Sequence, residues 1–225
     1  MLKIYGVPPS IHTRKVIVAA LEKQIPYEIE FVFPFDPPPG WRERSPTGKI
    51  PAVTDEGFHL ADSSVIVAYL EKKFPQHPLF PSTAREYGQA LWFEEVVDSS
   101  VAPDITAIFH QRILNPMLYK KPADETAIAG LLNEHLPPKF EYLETSLPGE
   151  YLVGQNLTIA DITLASDLLI YHYLGYTLAA DRYPKLVAHF DRMLRRSSFQ
   201  TALRAEQSFA EQMGLERGFL RGVIS

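Results

Sequence analysis

The hydrophobic period of this chain changes at a proline-rich segment, residues 75–81. Before that segment, short runs of alternating apolar and polar residues are interleaved with runs of helical period. After it, the apolar runs all have the helical period and no strand is indicated. A chain with such a change is expected to form an α/β unit followed by an all-helical unit. We place these units at residues 1–76 and 85–225, with residues 77–84 as the linker.

The first unit reads as strand, helix, strand, irregular link, hairpin and helix. The predicted elements are a strand from Leu2 to Tyr5, a helix from Thr13 to Gln24, a strand from Tyr27 to Phe33, a hairpin of Ile50–Thr54 and Phe58–Leu60, and a helix from Ser63 to Phe74. A helix separates the first two strands, so we expect them to be parallel. Apolar residues recur at i,i+4 in the first helix, and its charged residues are therefore expected to face water. These are Arg14, Lys15, Glu22 and Lys23.

The second unit reads as helices alone. The predicted helices span residues 84–115, 124–146, 158–174, 185–195 and 199–212. The third has the clearest start, with Thr158 as N-cap and Asp161 three residues later, which is the carboxylate form of a capping box. Leu157 and Ile162 are placed to form the hydrophobic staple that accompanies it.

Composition excludes several function classes. The chain has 22 basic and 27 acidic residues without a basic cluster, and its formal charge of −5 gives no basis for binding nucleic acid. It has no cysteine, which excludes disulfides, thiolate metal sites and cysteine nucleophiles and suits a reducing compartment. No apolar run reaches the roughly 18 residues of a membrane helix, and the first residues read as a strand, so we expect neither a membrane segment nor a signal peptide. No metal-binding spacing occurs, and we expect no metal.

Four segments, in order and at matching spacing, resemble the cytosolic glutathione transferase family. Tyr5–Val16 is similar to the strand, loop and helix of its serine-type members, such as the plant phi class and many bacterial forms. Ser45–Val53 resembles the loop before the family's cis-proline, Asp62–Ser64 its acidic-serine pair, and Thr158–Asp161 its helical-domain capping box. The resemblance implies a thioredoxin-like domain followed by an all-helical domain, glutathione as co-substrate, a cytoplasmic location and a homodimer.

Ser10 is the candidate catalytic residue that the resemblance implies. A hydroxyl ahead of a helix N-terminus can favour the thiolate of glutathione, because hydrogen bonding and the helix dipole both stabilise negative charge. From the residue alone, Ser10 is better explained as an ordinary N-cap or turn residue, and only the resemblance favours the catalytic role. Tyr5 and Thr13 offer rival hydroxyls, although Tyr5 lies within the strand and Thr13 within the first helical turn.

The remaining glutathione contacts follow from the same resemblance. Pro51 is expected to be cis and to leave the backbone of Ile50 free to pair with the ligand's cysteinyl unit. Asp62 and Ser63 are expected to bind the γ-glutamyl ammonium and carboxylate, and either could instead be a plain helix cap. For the glycyl carboxylate we favour Lys49. The other candidates are Arg42 and Arg44, since the Pro34–Gly40 segment departs from the phi pattern.

The resemblance also implies a pocket between the units for a hydrophobic electrophile. Its expected lining is Pro8 and Pro9 with Phe109, His110 and Ile113, although such side chains are as often core. The function we predict is conjugation of glutathione to hydrophobic electrophiles, in detoxification or small-molecule catabolism. Two alternatives stay open: a glutathione-dependent peroxidase or isomerase on the same fold, and a binding protein without turnover.

Overall fold

The first part of the chain forms a four-stranded mixed sheet. The computed structural model describes residues 1–224. The strands are β1 (Leu2–Gly6), β2 (Tyr27–Phe31), β3 (Ala52–Asp55) and β4 (Phe58–Ala61), and they lie in the order β2-β1-β3-β4. β1 pairs parallel with β2 and antiparallel with β3, and β3 and β4 form a hairpin. The predicted succession of strands and helices along this part, the parallel first pair and the β3–β4 hairpin are confirmed. β2 ends two residues earlier than predicted, and β3 begins after Pro51 rather than at Ile50.

Three helices accompany this sheet. They are α1 (Ile11–Glu22), the single turn α2 (Trp41–Arg44) and α3 (Ser63–Lys73). Gly6 allows α1 to approach β1 closely, because a Cβ at this position would lie only 2.4 Å from the Thr13 Oγ1. α2 lies in the segment that was predicted as an irregular link. This α/β part has the thioredoxin-like arrangement that was predicted.

The rest of the described chain is helical. Its elements are α4 (Ala84–Val96), α5 (Ala102–Phe109), α6 (Glu125–Gly130), α7 (Leu136–Ser146), α8 (Ile159–Tyr173), α9 (Pro184–Leu194), α10 (Ser197–Ala205), α11 (Gln207–Gln212) and a final 3₁₀ turn, Gly218–Leu220. Three π-helical segments, Val97–Val101, His110–Tyr119 and Leu131–His135, join α4 to α5, extend α5, and join α6 to α7. The predicted long helices are therefore present, but their turns are wider in places than the sequence period indicated.

α8 is the central helix of this part, and its N-terminus is fixed as the sequence predicted. Thr158 and Asp161 form the capping box, in which the Asp161 Oδ2 accepts from the Thr158 backbone N–H at 2.8 Å. The other carboxylate oxygen of Asp161 accepts from the Leu152 N–H and contacts the Nε2 of buried His189 at 2.9 Å. Ordinary helix-cap chemistry thus also attaches the preceding loop and α9.

The expectation that the charged residues of α1 face water is wrong. Arg14, Lys15 and Lys23 are buried and Glu22 is half-buried, because α1 lies between α3, α8 and α10 rather than on a surface. The cations are compensated by carboxylates from other elements: Glu206 for Arg14, Glu94 and Asp98 for Lys15, and Glu71 for Lys23. A buried cation is tolerated only with such partners, which the helical period of α1 does not show.

Candidate functional site

Ser10 lies at the junction of the loop after β1 with α1, and it lines a cavity. It is the N-cap of α1, and its Oγ accepts from the Thr13 N–H at 3.5 Å, a long and weak bond. The first turn of α1 carries no acidic residue. The hydroxyl and the positive end of the helix dipole can therefore both stabilise an anion in the cavity.

The two rival hydroxyls do not face this cavity. The ring of Tyr5 is buried against Trp41, with the Arg44 guanidinium 5.4 Å from its centre. Thr13 is fully buried and its Oγ1, close to Gly6, has no hydrogen-bond partner in the described chain. Of the three candidates, Ser10 alone lines the cavity.

The cavity has a volume of about 350 Å³ and lies between the two parts of the fold. The loop after β1 and the start of α1 supply Val7, Pro9, Ser10, Ile11 and His12; the segments after β2 and before β3 supply Phe33, Pro34, Phe35, Lys49 and Ile50; and the helical part supplies Thr106, Phe109, His110, Leu114, Ile170 and Met213. Most of these side chains are apolar, which suits an apolar ligand beside a polar reacting group.

The predicted lining is correct in part. Pro9, Phe109 and His110 line the cavity, whereas Pro8 and Ile113 do not, and Leu114 occupies the place expected for Ile113. The wider π-helical turn that begins at His110 rotates the following residues away from the positions of an α-helix.

Several lining residues were missed, and the aromatic pair Phe33 and Phe35 is the clearest example. The alternation of β2, carried past its end, placed Phe33 on one face and could have indicated it. The ring of Phe35 lies 6.0 Å from that of His110 in an edge-on arrangement, so the proline-rich link contacts the helical part across the cavity. Met213 and Ile170 could not be found in this way, because they come from distant helices.

The segment before β3 has the geometry expected for docking an extended peptide. The Ile50–Pro51 bond is cis, as predicted. Ile50 lines the cavity and precedes the paired residues of β3, which begin at Ala52. Its backbone groups are therefore outside the sheet ladder and next to the open cavity.

Asp62 and Ser63 begin α3. The Asp62 Oδ1 accepts from the Ser64 and Val65 N–H groups at 3.0 and 3.1 Å, while its backbone has a φ of 77°, an uncommon value for a residue other than glycine. Ser63 is buried at the first helical position. Neither residue lines the apolar cavity. Unusual backbone angles cluster at binding sites, so this corner is a candidate for ligand contact as well as a cap.

The three basic candidates for the glycyl carboxylate have different surroundings. Lys49 is exposed and lines the cavity. Arg42 is exposed, but it donates to the Pro46 carbonyl at 2.9 Å, and Arg44 lies on the Tyr5 ring. Lys49 is therefore the cation in this loop that reaches the cavity.

Next to the cavity, a buried charge cluster crosses from α1 to the helical part. The Lys15 Nζ donates to the Ser64 Oγ at 3.0 Å and to the Asp98 Oδ2 at 2.7 Å, and it also pairs with Glu94. The Ser64 Oγ donates to the Glu94 Oε1 at 2.5 Å. The cluster thus links the first turn of α3 to α4 and to the π-helical segment that follows.

A second cavity of about 710 Å³ shares no residue with the Ser10 cavity. It lies between the linker and the loop before α8, and the bidentate Arg196–Glu22 ion pair forms part of its wall. Asn156, the asparagine of the Asn156–Thr158 glycosylation sequon, also lines it. Although this cavity is the larger, the residues with candidate chemistry lie at the other one.

In residues 1–224, no group of three or more histidine or acidic side chains is placed to hold a metal ion. No helix among these residues has the length and apolar character needed to cross a bilayer.

Comparisons with known proteins agree with this arrangement. The family model described as "Glutathione S-transferase, N-terminal domain" matches residues 4–78, and "Glutathione S-transferase, C-terminal domain" matches residues 109–204. A glutathione S-transferase of Triticum aestivum is 29% identical over 212 residues, covering 91% of this chain and 93% of the relative. A dichloromethane dehalogenase of Methylophilus leisingeri is 30% identical over 204 residues, covering 86% and 76%.

The solved structures include a similar fold with a bound ligand. Glutathione S-transferase-I bound with lactoylglutathione superposes with a TM-score of 0.80 at 25% identity, covering 90% of this chain and 98% of that one. The two family models match in chain order, the first over the sheet and the second over most of the helical part. The chain belongs to the glutathione S-transferase family.

Proposed function

We propose that this chain is a glutathione transferase that conjugates the thiolate of glutathione to hydrophobic electrophiles. Residues 1–76 would form the glutathione-binding domain, residues 77–84 the linker, and residues 85–225 the helical domain that completes the electrophile site. The observation that carries the proposal is the position of Ser10, which caps α1 and lines an apolar cavity between the two domains.

Ser10 is the proposed catalytic residue. A free thiol with a pKa near 8.5 is only slightly ionised at neutral pH, so the enzyme must favour the thiolate. The Ser10 hydroxyl donates to the sulfur and the N-terminus of α1 faces the same charge. Lowering the thiol pKa by about 2 units requires about 2.7 kcal/mol of preferential interaction with the anion. One charge-assisted hydrogen bond and a helix terminus together are of that order.

The rest of glutathione would lie along the segments on either side of Ser10. The cysteinyl unit pairs with the backbone of Ile50, before the cis-Pro51, as an added strand would. The γ-glutamyl end reaches the start of α3, where Asp62 contacts the ammonium and the N–H groups near Ser63 contact the carboxylate. Lys49 contacts the glycyl carboxylate.

The second substrate would occupy the apolar side of the cavity, among Phe33, Phe35, Phe109 and Leu114. Apolar walls lower the cost of bringing a hydrophobic electrophile next to the thiolate, and proximity then accelerates the attack. The name of one relative, dichloromethane dehalogenase, indicates that a halogenated carbon is one electrophile to test. Two alternatives are a peroxidase or isomerase activity at the same site and a binding protein without turnover.

We also propose a cytoplasmic homodimer. Large apolar side chains are exposed on β4, α3 and α4, including Phe58, Val65 and Trp92, which are 50%, 49% and 57% exposed. A second copy of the chain would cover them. Sedimentation should give twice the monomer mass, and Trp92→Arg should lower it to that of one chain. The absence of cysteine is compatible with the reducing cytoplasm. Cell fractionation tests this location.

The proposed function is tested by titrating the protein with glutathione and then measuring conjugation. Calorimetry reports binding, the ultraviolet absorbance of the bound thiolate reports ionisation, and chloronitroarenes, dihalomethanes, epoxides and hydroperoxides report turnover. Ser10→Ala should retain glutathione binding but lose most of the thiolate absorbance and about 100-fold in kcat/KM. Tyr5→Phe serves as the matched hydroxyl control and should retain both. Binding without turnover of any substrate would favour the binding protein, and full activity of Ser10→Ala would reject the assignment.

A further inference from the structure

His12 is a titratable side chain in the cavity to which the conjugation reaction assigns no role. It is the second residue of α1, two positions after Ser10, and both residues line the cavity together with Lys49 and Ile50. The ring is 39% exposed, and the Nδ1 lies 3.7 Å from the Asp98 Oδ1. One edge of the imidazole therefore faces a carboxylate of the helical domain, while the side chain as a whole remains open to the cavity.

Asp98 is held in place to act as the partner of this imidazole. Its Oδ2 accepts from the Lys15 Nζ at 2.7 Å and lies 3.1 Å from the Ser64 Oγ, and its Oδ1 is the oxygen nearer to His12. Asp98 belongs to the π-helical segment Val97–Val101, and such segments recur at functional sites. A carboxylate that orients an imidazole and stabilises its protonated form is a recurring arrangement in enzymes that move protons.

The charges around His12 come from four elements. Lys15 lies on α1, Asp98 on the π-helical segment, Asp62 at the cap of α3, and Lys49 in the loop before β3. Burial is the largest influence and lowers the pKa of His12; Asp98 and Asp62 raise it, and Lys15 and Lys49 lower it. The imidazole is therefore neutral near pH 7 and able to accept a proton, with a carboxylate ready to stabilise the cation.

We propose that His12, with Asp98 as its neighbouring counter-charge, is a second catalytic residue that accepts the proton of the glutathione thiol. The proposal rests on the proposed function, since it requires glutathione in the cavity. The S–H bond breaks, its electron pair stays on sulfur as the thiolate held by the Ser10 hydroxyl, and the proton bonds to the imidazole, directly or through one water. The imidazolium and Asp98 then form an ion pair. After the thiolate has attacked and the leaving group has departed with its electron pair, the imidazolium returns its proton to solvent or to the leaving group.

Proton release on binding distinguishes this step from simple loss of the proton to solvent. Glutathione is mixed with the protein in weak buffer containing an indicator, while thiolate absorbance is recorded. In the wild-type protein the thiolate should form with far less than one proton released, because the new negative charge on sulfur, together with Asp98, stabilises the imidazolium of His12 against loss of its proton. In His12→Gln, each thiolate that forms should release about one proton. His135→Gln is the matched control, since the His135 Nδ1 lies 3.9 Å from the Asp104 Oδ1, a similar pair outside the cavity; it should behave as the wild type.

The wild-type protein also provides a test that needs no variant. In a histidine-resolved NMR spectrum, the ring signals of His12 should move to imidazolium positions with glutathione but not with S-methylglutathione, which has no thiol proton. Release of about one proton by both wild type and His12→Gln, with no change in the His12 signals, would overturn the role of His12 and leave the transferase proposal standing. Absence of glutathione binding to the wild type would overturn both.

Discussion

Arg14 and Glu206 form a fully buried, bidentate ion pair between residues 192 positions apart. The Arg14 Nε and Nη2 donate to the two carboxylate oxygens of Glu206, each at 3.0 Å, and the side chains are 0% and 1% exposed. The same guanidinium donates to the carbonyls of Ser166 and Pro9, and the Tyr173 hydroxyl donates to Glu206 at 2.6 Å. Because Pro9 immediately precedes Ser10, this pair connects the loop that carries the candidate catalytic residue to the helical domain.

Removing one member of this pair should destabilise the protein strongly. Glu206→Gln leaves the Arg14 guanidinium buried without its counter-charge, and breaking a buried ion pair in this way costs about 3–5 kcal/mol. We expect the free energy of unfolding, measured in urea, to fall by this amount. The exposed Arg182–Glu141 pair is the control, and Arg182→Ala should change the free energy of unfolding by less than about 1 kcal/mol. Equal effects at both pairs would contradict the role given to burial.

Gly6 should be required because α1 packs so closely on β1. A Cβ at position 6 would lie 2.4 Å from the Thr13 Oγ1 and 3.0 Å from its Cγ2. Gly6→Ala should therefore cost about 1–3 kcal/mol, as overpacking of a core does. Thr13→Ala in the same chain removes the clashing atoms and should restore much of the lost stability. In a double-mutant cycle, the double variant should therefore be more stable than the sum of the two single effects indicates. Additive effects of the two changes would show that another contact is limiting.

Lys49 should contribute to binding only through the glycyl end of glutathione. Lys49→Met removes the exposed cation at the cavity, and we expect glutathione affinity to fall about 5-fold to 10-fold, which is about 1 kcal/mol. The dipeptide γ-glutamylcysteine lacks that carboxylate, so the variant should bind it as well as the wild type does. Calorimetry with both ligands gives the comparison. Should Arg42→Met show the ligand-dependent loss and Lys49→Met none, the carboxylate contact would belong to Arg42 instead.

His172 should make folding stability sensitive to acid. Burial lowers its pKa from 6.5 to about 4, both ring nitrogens lack a hydrogen-bond partner within the described residues, and the ring stacks on Phe190 at 4.5 Å. Between these values the unfolded chain binds a proton that the folded protein does not. The contribution of neutral His172 to the free energy of unfolding is therefore fully present above pH 6.5. It is lost as the pH falls towards 4, by at most about 1.4 kcal/mol per pH unit.

Replacing this histidine isolates its contribution. His172→Phe keeps the stack and cannot take up a proton, so its urea-unfolding free energy should decline less over that pH range than the wild type's. If the unfolding free energy of His172→Phe declined with pH as steeply as that of the wild type, the acid sensitivity would belong to other groups.

The sequence determined the features that depend on neighbouring residues. Period, turn residues and caps were sufficient for the succession of strands and helices along the chain, the helical second half and the capping box of Thr158 and Asp161, because these depend on contacts within a few residues. The motif around Pro51 predicted its cis bond, and the position of Ser10 ahead of a helix was also correct. Local patterns therefore predicted the secondary structure and the site residues contributed by the first domain, Ser10 and Pro51.

The tertiary structure alone decided which charges are buried and which side chains line the cavity. The helical pattern of α1 placed Arg14 and Lys15 in water, but their partners, Glu206, Glu94 and Asp98, lie many residues away, and no local pattern reports a distant carboxylate. In the same way, the meeting of His12 with Asp98 depends on how the two domains pack. Burial and ion pairing are properties of the assembled chain, since a charged side chain can leave water only where remote segments supply its counter-charge.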